Sequence, residues 1–346
     1  MNNSIHFKMS QTSDEDVKPI IIESFNILLD GYVAENNKFK ALAYRKALKE
    51  LEKVKEIHSI NDIQTLTGFG KSLTSKVDEI IKTHHLKAAE EAQNSESTIA
   101  VKELMTVHGV GIQKARSLIE MGIMNIDSLR TESEKNPSLL HDQQKIGLKY
   151  YNDMKFRIPQ DEMRKHFNFL QNEIKKLSTT ASLQVVGSFR RNSPDSGDID
   201  VLITDYPDNP KLLPKFLDML RKAKYLTENT TLSQGIVKFC GICKLLSASA
   251  DSPVRRIDVL YTHPYEYPFA LLYFTGSGDF NKEMRAYALQ KGYSLNQKNI
   301  QHKDTAIIVD VEEHTFRNEK DIFDFLELQY IEPQDRYPGK VIPTEQ

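Results

Sequence analysis

Three aspartates occur where a strand would present them together. Gly187-Ser188-Phe189-Arg190-Arg191 is followed by Gly197-Asp198-Ile199-Asp200-Val201-Leu202, and Arg256-Ile257-Asp258-Val259 comes later. Alternate side chains of a strand share a face. Asp198 and Asp200 therefore point the same way, while Ile199 and Val201 enter the core. Two carboxylates held side by side repel and are costly without a cation. Three on adjacent strands make a hard-oxygen site suited to two Mg²⁺ ions. Such a pair clamps the attacking and leaving oxygens in phosphoryl or nucleotidyl transfer. Gly187-Ser188 would open a helix whose N–H groups hold a triphosphate, and Arg191 can add positive charge there. Taken alone, D-x-D reads first as a polar strand edge or a salt-bridge partner.

The combination of Gly-Ser, D-x-D and a later apolar-flanked Asp is the signature of the nucleotidyltransferase superfamily. The elements around it can be read from the pattern. Residues 183–186, 199–203, 236–242 and 257–261 read as strands, with a helical segment at 212–224. The last 80 or so residues mix helices (282–291, 319–328) with a short strand (306–311). Residues 17–151 are helical in character, with a polar linker at 92–97 and a boundary near Arg157-Ile158-Pro159. The class is α in the first half and α+β in the second.

Within the helical half a pattern occurs twice: Leu66-Thr67-Gly68-Phe69-Gly70-Lys71 and Val107-His108-Gly109-Val110-Gly111-Ile112. Leu73, Val77, Ile80 and Ile81 then share one helical face after the first copy, as Ala115, Leu118 and Ile119 do after the second. A glycine pair permits a tight turn and close approach of backbone N–H groups to a ligand. Both units read as helix-hairpin-helix motifs, which grip a phosphate backbone without reading sequence. A single G-x-G turn is equally a packing device; the repeat favours the binding reading.

Composition sets limits. The chain has 346 residues, 46 Lys+Arg against 48 Asp+Glu, and a formal net charge of -2. Overall basicity is missing, yet residues 38–87 carry an excess of Lys and Arg over acids. No apolar run reaches the length of a membrane span, and the first residues are polar and acidic, which points away from secretion and membrane insertion. Cys240 and Cys243 are the only cysteines. They exclude a disulfide scaffold and cannot complete a zinc site. Their C-x-x-C spacing lies in an alternating apolar run that reads as a strand rather than a redox pair, and the usage suits a reducing compartment.

The stretch from Gly187 to Thr204, Arg255-Arg256-Ile257-Asp258 and Leu272-Tyr273-Phe274-Thr275-Gly276-Ser277 resemble the polymerase beta-like members of DNA polymerase family X. So do Ala43-Tyr44-Arg45-Lys46-Ala47 and Glu319-Lys320-Asp321-Ile322-Phe323-Asp324. The resemblance covers residues 17–337. It implies an α+β multidomain chain: a tail at 1–16, an all-α lyase-like domain at 17–95 with the first helix-hairpin-helix, and a duplex-binding subdomain at 96–154 with the second. A nucleotidyltransferase palm (a mixed sheet with helices) at 155–262 and an α+β carboxy-terminal subdomain at 263–346 that closes on the nascent base pair complete it.

The resemblance also implies roles. Asp198 and Asp200 would bind both metals and Asp258 the catalytic one, where it would aid deprotonation of the primer 3′-hydroxyl. Arg256 would support the primer terminus. Gly187, Ser188, Arg191, Gly197 and Arg157 would hold the triphosphate. Tyr273, Phe274 and Gly276 would lie against the incoming sugar, although without the resemblance Tyr273 and Phe274 read first as ordinary core. Asn281 would meet the incoming base and Arg285 the template side, with Lys238 and Lys282 on DNA. Lys76 matches the Schiff-base lysine of the 5′-deoxyribose phosphate lyase, with Tyr44 as a site tyrosine. Lys40, Arg45 and Lys71 would bind the 5′-phosphate and help keep Lys76 neutral. Read by itself, Lys76 is a solvent lysine beside a buried face. Gly68, Gly70, Gly109 and Gly111 would form the DNA-gripping turns, with Na⁺ or K⁺ on the carbonyls of Leu66, Phe69, Val107 and Val110. Mn²⁺ would substitute for Mg²⁺.

Departures from the family pattern matter. Phe39 replaces a phosphate-binding histidine, and Gln64 and Ser72 replace lysines, which weakens the lyase expectation. Gly278 replaces an aspartate near the incoming nucleotide. Leu260 and Gln297 replace an arginine and glutamate that pair on closure, so closure and fidelity are expected to differ. The expected function is a DNA-directed DNA polymerase that fills short gaps in base excision repair, without proofreading. It would act as a monomer on gapped or nicked duplex DNA with dNTPs, a repair ligase or scaffold protein being a further partner. Its place would be the nucleus of a eukaryotic cell, or the cytoplasm or virion of a virus. The alternatives are a template-independent nucleotidyltransferase, against which the short 244–254 segment argues, an inactive DNA-binding scaffold, and a lyase-only repair protein.

Overall fold

The structure is a computed structural model that describes residues 15–309 and 316–344. The chain divides into two compact units, Met1–Gln144 and Lys145–Gln346. The expected tail at 1–16 falls almost wholly outside the described residues, as does the end of the strand expected at 306–311. Among the described residues no helix is long and apolar enough to cross a membrane.

The described residues of the first unit form helices and turns only. Its elements are α1 (Lys18–Ala34), α2 (Lys38–Leu51), a 3-10 turn (Ile60–Ile63), α3 (Lys71–Thr83), α4 (Lys87–Gln93), α5 (Glu96–Met105), α6 (Ile112–Glu120) and α7 (Ile126–Lys135), and α8 (Asp142–Lys149) begins at its end. The face foreseen for α3 is the buried one: Leu73, Val77, Ile80 and Ile81 join Ile21, Phe25 and Leu51 in one core. The polar run at 92–97 is a tight joint rather than a linker. Asn94 ends α4, and the Ser95 hydroxyl accepts from the Thr98 N–H to start α5; small polar residues cap helices as readily as they loosen chains.

The second unit carries a five-stranded sheet in the order β2-β4-β7-β6-β5. In chain order it comprises β1 (Ile158–Pro159), α9 (Gln160–Leu177), β2 (Ser182–Val185), the single turn α10 (Gly187–Arg190), β3 (Asp195–Ser196), β4 (Ile199–Thr204), α11 (Leu212–Lys222), β5 (Leu226–Gln234), β6 (Lys238–Cys243) and β7 (Arg255–Tyr261). Then come α12 (Tyr267–Thr275), α13 (Gly278–Gln290), β8 (Tyr293–Leu295), β9 (Ile300–His302) and α14 (Glu319–Phe325). β4 and β7 are parallel; β2 pairs with β4, β6 with β7 and β5 with β6 antiparallel. The amphipathic helices α9 and α11 bury Leu170, Ile174, Phe216 and Leu220 in the same core as Val201, Ile257 and Val259. β5 was not expected from the sequence: its residues are mostly polar, and only Leu226, Thr230 and Leu232 turn inward.

One buried charge in this unit is fully engaged. Arg255, 6% exposed, donates to both Glu162 oxygens (2.7 and 2.8 Å) and to the Phe156 carbonyl (3.0 Å). His166, partnered by Tyr225 at 2.7 Å, and Arg255 hold the Glu162 carboxyl down to about 2, against the effect of burial. Removing one member of a buried pair strands the other at a cost of about 3–5 kcal/mol. Glu162→Ala is expected to lose that much stability in urea unfolding of the second unit, while Glu162→Leu combined with Arg255→Met recovers most of it. Equal losses in the two variants would show that the ion pair itself is not the cause.

Candidate active site

Register builds the site. Parallel pairing sets Asp200 directly opposite Asp258, with Val201 opposite Val259. Burial alternates along β7, so Arg256, Asp258 and Leu260 share the more open face while Arg255, Ile257 and Val259 are buried. Asp198 lies just before β4 and joins the group. Burial, then the charges of Asp198 and Asp258, push the Asp200 carboxyl up to about 7; Arg256 and Lys238 offset part of this. Arg256 Nη2 bonds Asp198 Oδ2. Lys238 Nζ lies 3.3 Å from Asp258 Oδ2, and Asp258 Oδ1 is buried without a hydrogen-bond partner, 3.9 Å from Arg256 Nε.

A crowded, electron-rich oxygen cluster with one orphaned carboxylate oxygen fits a hard divalent cation. Among the described residues no set of three His, Cys, Asp or Glu side chains is already closed into a metal cage; two basic side chains engage the acids instead. Asp198, Asp200 and Asp258 are the residues that would hold a metal.

The loop beside the acids is fixed by close contacts. Gly187 has φ +60, and a Cβ there would lie 2.6 Å from Asp200 Oδ2, so the β2–α10 turn reaches the carboxylate only because the side chain is missing. Ser188 Oγ donates to Ser196 Oγ at 2.9 Å. Arg191 Nη1 donates to the Thr275 carbonyl at 2.6 Å, and a Cβ on Gly276 (φ +69) would lie 3.2 Å from that nitrogen. Arg190, which the sequence reading left without a role, holds both Glu319 oxygens (2.9 and 2.6 Å) and Thr275 Oγ1 (2.6 Å). Glu319 also accepts from Arg336 at 2.6 Å. Arg336 is wholly buried, its guanidinium 5.6–5.9 Å from the centres of Phe280, Phe323 and Tyr330. α10 is thereby clamped to the end of α12 and the start of α14.

Other expected residues separate into groups. Arg157 is held by Asp195 (3.0 and 2.7 Å), and a Cβ on Gly197 would lie 2.9 Å from Arg157 Nη1. Asp195 was not singled out in the sequence. The adjacent aromatics diverge. Tyr273 lines a small cleft with Asn281, Met284, Arg285 and Asn296, and its carbonyl accepts from Asn281 Nδ2 at 2.7 Å. Phe274 packs with Leu260 against Val186, Leu202 and Ala270. An apolar residue suits position 260, because its neighbours are apolar. Lys282 pairs with Asp279 on the surface of α13. Burial, with Asp258 nearby, pushes the Cys240 thiol up to about 12, and burial does the same for Cys243; both are free, and such thiols are inert.

In the first unit, Gly68 (φ +90) and Gly109 (φ +81) make the two turns, and Gly70 and Gly111 cap α3 and α6. The Gly109 carbonyl accepts from Gln144 at 2.8 Å. Of the four carbonyls proposed for a monovalent ion, that of Phe69 accepts from Thr74 at 3.3 Å and that of Val107 from the Val110 N–H at 3.0 Å. Lys76 Nζ donates to Ser72 Oγ at 3.2 Å, so the replacement at 72 touches the candidate nucleophile. Tyr44 is buried between Phe25 and Tyr32 (5.2 and 5.4 Å), and Lys40 Nζ sits 4.8 Å above the Tyr32 ring. Lys71 is exposed at the first position of α3, Phe39 is 89% exposed, and Gln64 bonds Asn61.

This sheet, with paired acids across a parallel step and a glycine turn against them, defines a nucleotidyltransferase palm. Family models agree along the chain: "DNA polymerase beta palm" matches residues 157–264, "DNA polymerase beta thumb" 270–337, "Fingers domain of DNA polymerase lambda" 102–155, and "Helix-hairpin-helix domain" 18–86. The chain belongs to DNA polymerase family X. Among its relatives, DNA polymerase lambda of Rattus norvegicus is 31% identical over 333 residues, covering 91% of this chain and 56% of the relative. DNA polymerase lambda of Arabidopsis thaliana is 29% identical over 344 residues, covering 93% of this chain and 62% of the relative. The chain thus spans little more than half the length of these relatives.

The raised Asp200 carboxyl has a consequence for stability. Between the ordinary value of 3.8 and about 7 the unfolded chain gives up this proton while the folded chain keeps it. Stability from this site is therefore complete below the lower value and is lost as pH rises through the upper one. In EDTA, Asp200→Asn is expected to raise stability at about pH 8 by up to about 4 kcal/mol and to leave it unchanged near pH 3.5. A gain that is equal at both pH values would contradict the crowding of the acids.

Proposed function

We propose that the chain is a DNA-directed DNA polymerase that fills short gaps in duplex DNA, with dNTPs as substrates. The observation that carries this reading is the register of Asp200 against Asp258, with Asp198 alongside and the Gly187 turn in contact. Divalent metal ions, Mg²⁺ by the hardness of the oxygen ligands, would supply Lewis-acid stabilisation of the transferred phosphoryl group. Asp198, Asp200 and Asp258 would hold them. Asp258 is the group positioned to take the proton of the primer 3′-hydroxyl. Arg191, Ser188 and the backbone at Gly187 receive the triphosphate and fix its orientation. Arg256, bonded to Asp198, steadies the acids from the side. Tyr273, Asn281 and Arg285 line the cleft that would receive the new base pair, which favours templated over untemplated addition.

A second activity rests on Lys76. Its neutral amine would attack C1′ of a 5′-deoxyribose phosphate, expel water to form a Schiff base, and release the strand by β-elimination. The Ser72 contact supports a placed amine. Exposed Phe39 and the Asn61-bound Gln64 remove two phosphate partners, so this step is slower than in the beta-like members. A repair ligase or scaffold protein is the partner such an activity calls for, to seal the nick.

A one-nucleotide gapped duplex with a 5′-deoxyribose phosphate tests both activities, using Mg²⁺, single dNTPs and a parallel borohydride trap. Insertion of only the complementary nucleotide is expected, reduced to background by Asp258→Ala, with a covalent adduct lost in Lys76→Ala. Insertion without an adduct would remove the lyase. Insertion that ignores the template would favour terminal transfer, and no insertion would leave a DNA-binding scaffold.

A further inference from the structure

The first unit contains a cavity of about 410 Å³ between the α1–α2 corner and the start of α6. It is lined by Lys38, Arg45 and Arg116, by the carboxamides of Asn36, Asn37 and Gln113, and by apolar side chains with Tyr32; no carboxylate lines it. Among the described residues Lys38 and Arg45 form no ion pair. Arg116 has one partner, the Asn36 side-chain oxygen at 3.2 Å, and its Nε is buried with none. Three cations around one space repel one another, and a buried donor without an acceptor is costly. A phosphate removes both costs, because a guanidinium offers it paired N–H donors. The volume exceeds that of a bare phosphate and lies in the range of small-molecule sites. The apolar wall of Val33, Ala41, Leu42 and Ile112 suits the sugar and base that a nucleotide adds.

We propose that this cavity, whose lining includes Arg45 but neither Lys76 nor any palm residue, is a nucleotide-phosphate site in which Arg116 and Lys38 bind the phosphate of a nucleotide unit. The unit belongs either to a DNA strand or to a free nucleotide. The first source rests on the gap-filling reading; the second does not.

The test uses the full chain in EDTA. Binding of a 5′-phosphorylated gapped duplex is followed by fluorescence anisotropy as salt is raised, for the wild type, Arg116→Gln, Lys38→Gln and, as a charge control, Lys320→Gln, whose side chain pairs with Asp324. Adenosine monophosphate is titrated calorimetrically in parallel. If a strand phosphate occupies the cavity, the log–log salt slope becomes shallower by about 1 in each of the first two variants and stays unchanged in the control. If a free nucleotide occupies it, the slopes coincide, while monophosphate binds the wild type and binds Arg116→Gln and Lys38→Gln at least tenfold more weakly. Lys38 is exposed, so its variant guards against a folding defect at Arg116. Coincident slopes together with equal or absent monophosphate binding overturn the proposal. Failure of the wild type to bind the duplex at all sinks the gap-filling reading instead, and the titration still decides on the cavity.

Discussion

Like charges repel, and the parallel register of β4 on β7 forces such a meeting: Asp200 faces Asp258, with Asp198 beside them. Much of the second unit can be understood as what this conflict requires. Two cations, Arg256 and Lys238, lie against the acids, and Asp200 keeps its proton well beyond the ordinary carboxylate range. A fold that tolerates this cluster holds electrostatic energy that a divalent cation, as proposed, would relieve. Strongly perturbed carboxylates of this kind cluster at sites of chemistry.

Rigid surroundings make the tolerance possible. Behind β7 the buried Arg255, the sequence neighbour of Arg256, is gripped bidentately by the half-buried Glu162. In front, Arg190 and Arg336 share Glu319, and Arg190 and Arg191 both reach Thr275. These two layers hold opposite ends of the site. Their partners are distant in sequence, with Arg190 and Glu319 separated by 129 positions, so the glycine turn at 187 and the segment at 275–276 are set by the same carboxylate. The residues proposed to receive the triphosphate and those proposed to face the sugar are therefore mechanically linked.

Legibility in the sequence followed locality. The acids, the glycine turn and the face of α3 were readable because strand alternation and helical periodicity act over a few residues. The two hairpin turns were readable because they repeat. What escaped depends on pairing at a distance. Glu319 and Arg336 are ordinary charged residues until the fold buries them together. Asp195 becomes meaningful only through Arg157. β5 is polar and unpatterned, and becomes a strand because β6 offers it an edge. The polar run at 92–97 was misjudged because capping and linking use the same residue types. Tyr273 and Phe274 are neighbours in sequence, but one helical step sends them to different surroundings, a cleft and an apolar cluster.

The most direct test of this account is to count bound divalent ions by Mn²⁺ electron paramagnetic resonance, with gapped duplex and a non-hydrolysable dNTP present. The wild type should bind two ions at the palm. Asp258→Asn should lose one of them, and Gly187→Ala, whose new Cβ displaces Asp200, should weaken both. Undiminished Mn²⁺ binding in Asp198→Asn, Asp200→Asn and Asp258→Asn alike would show that the crowded carboxylates are not a metal site, and the account would fail at its centre.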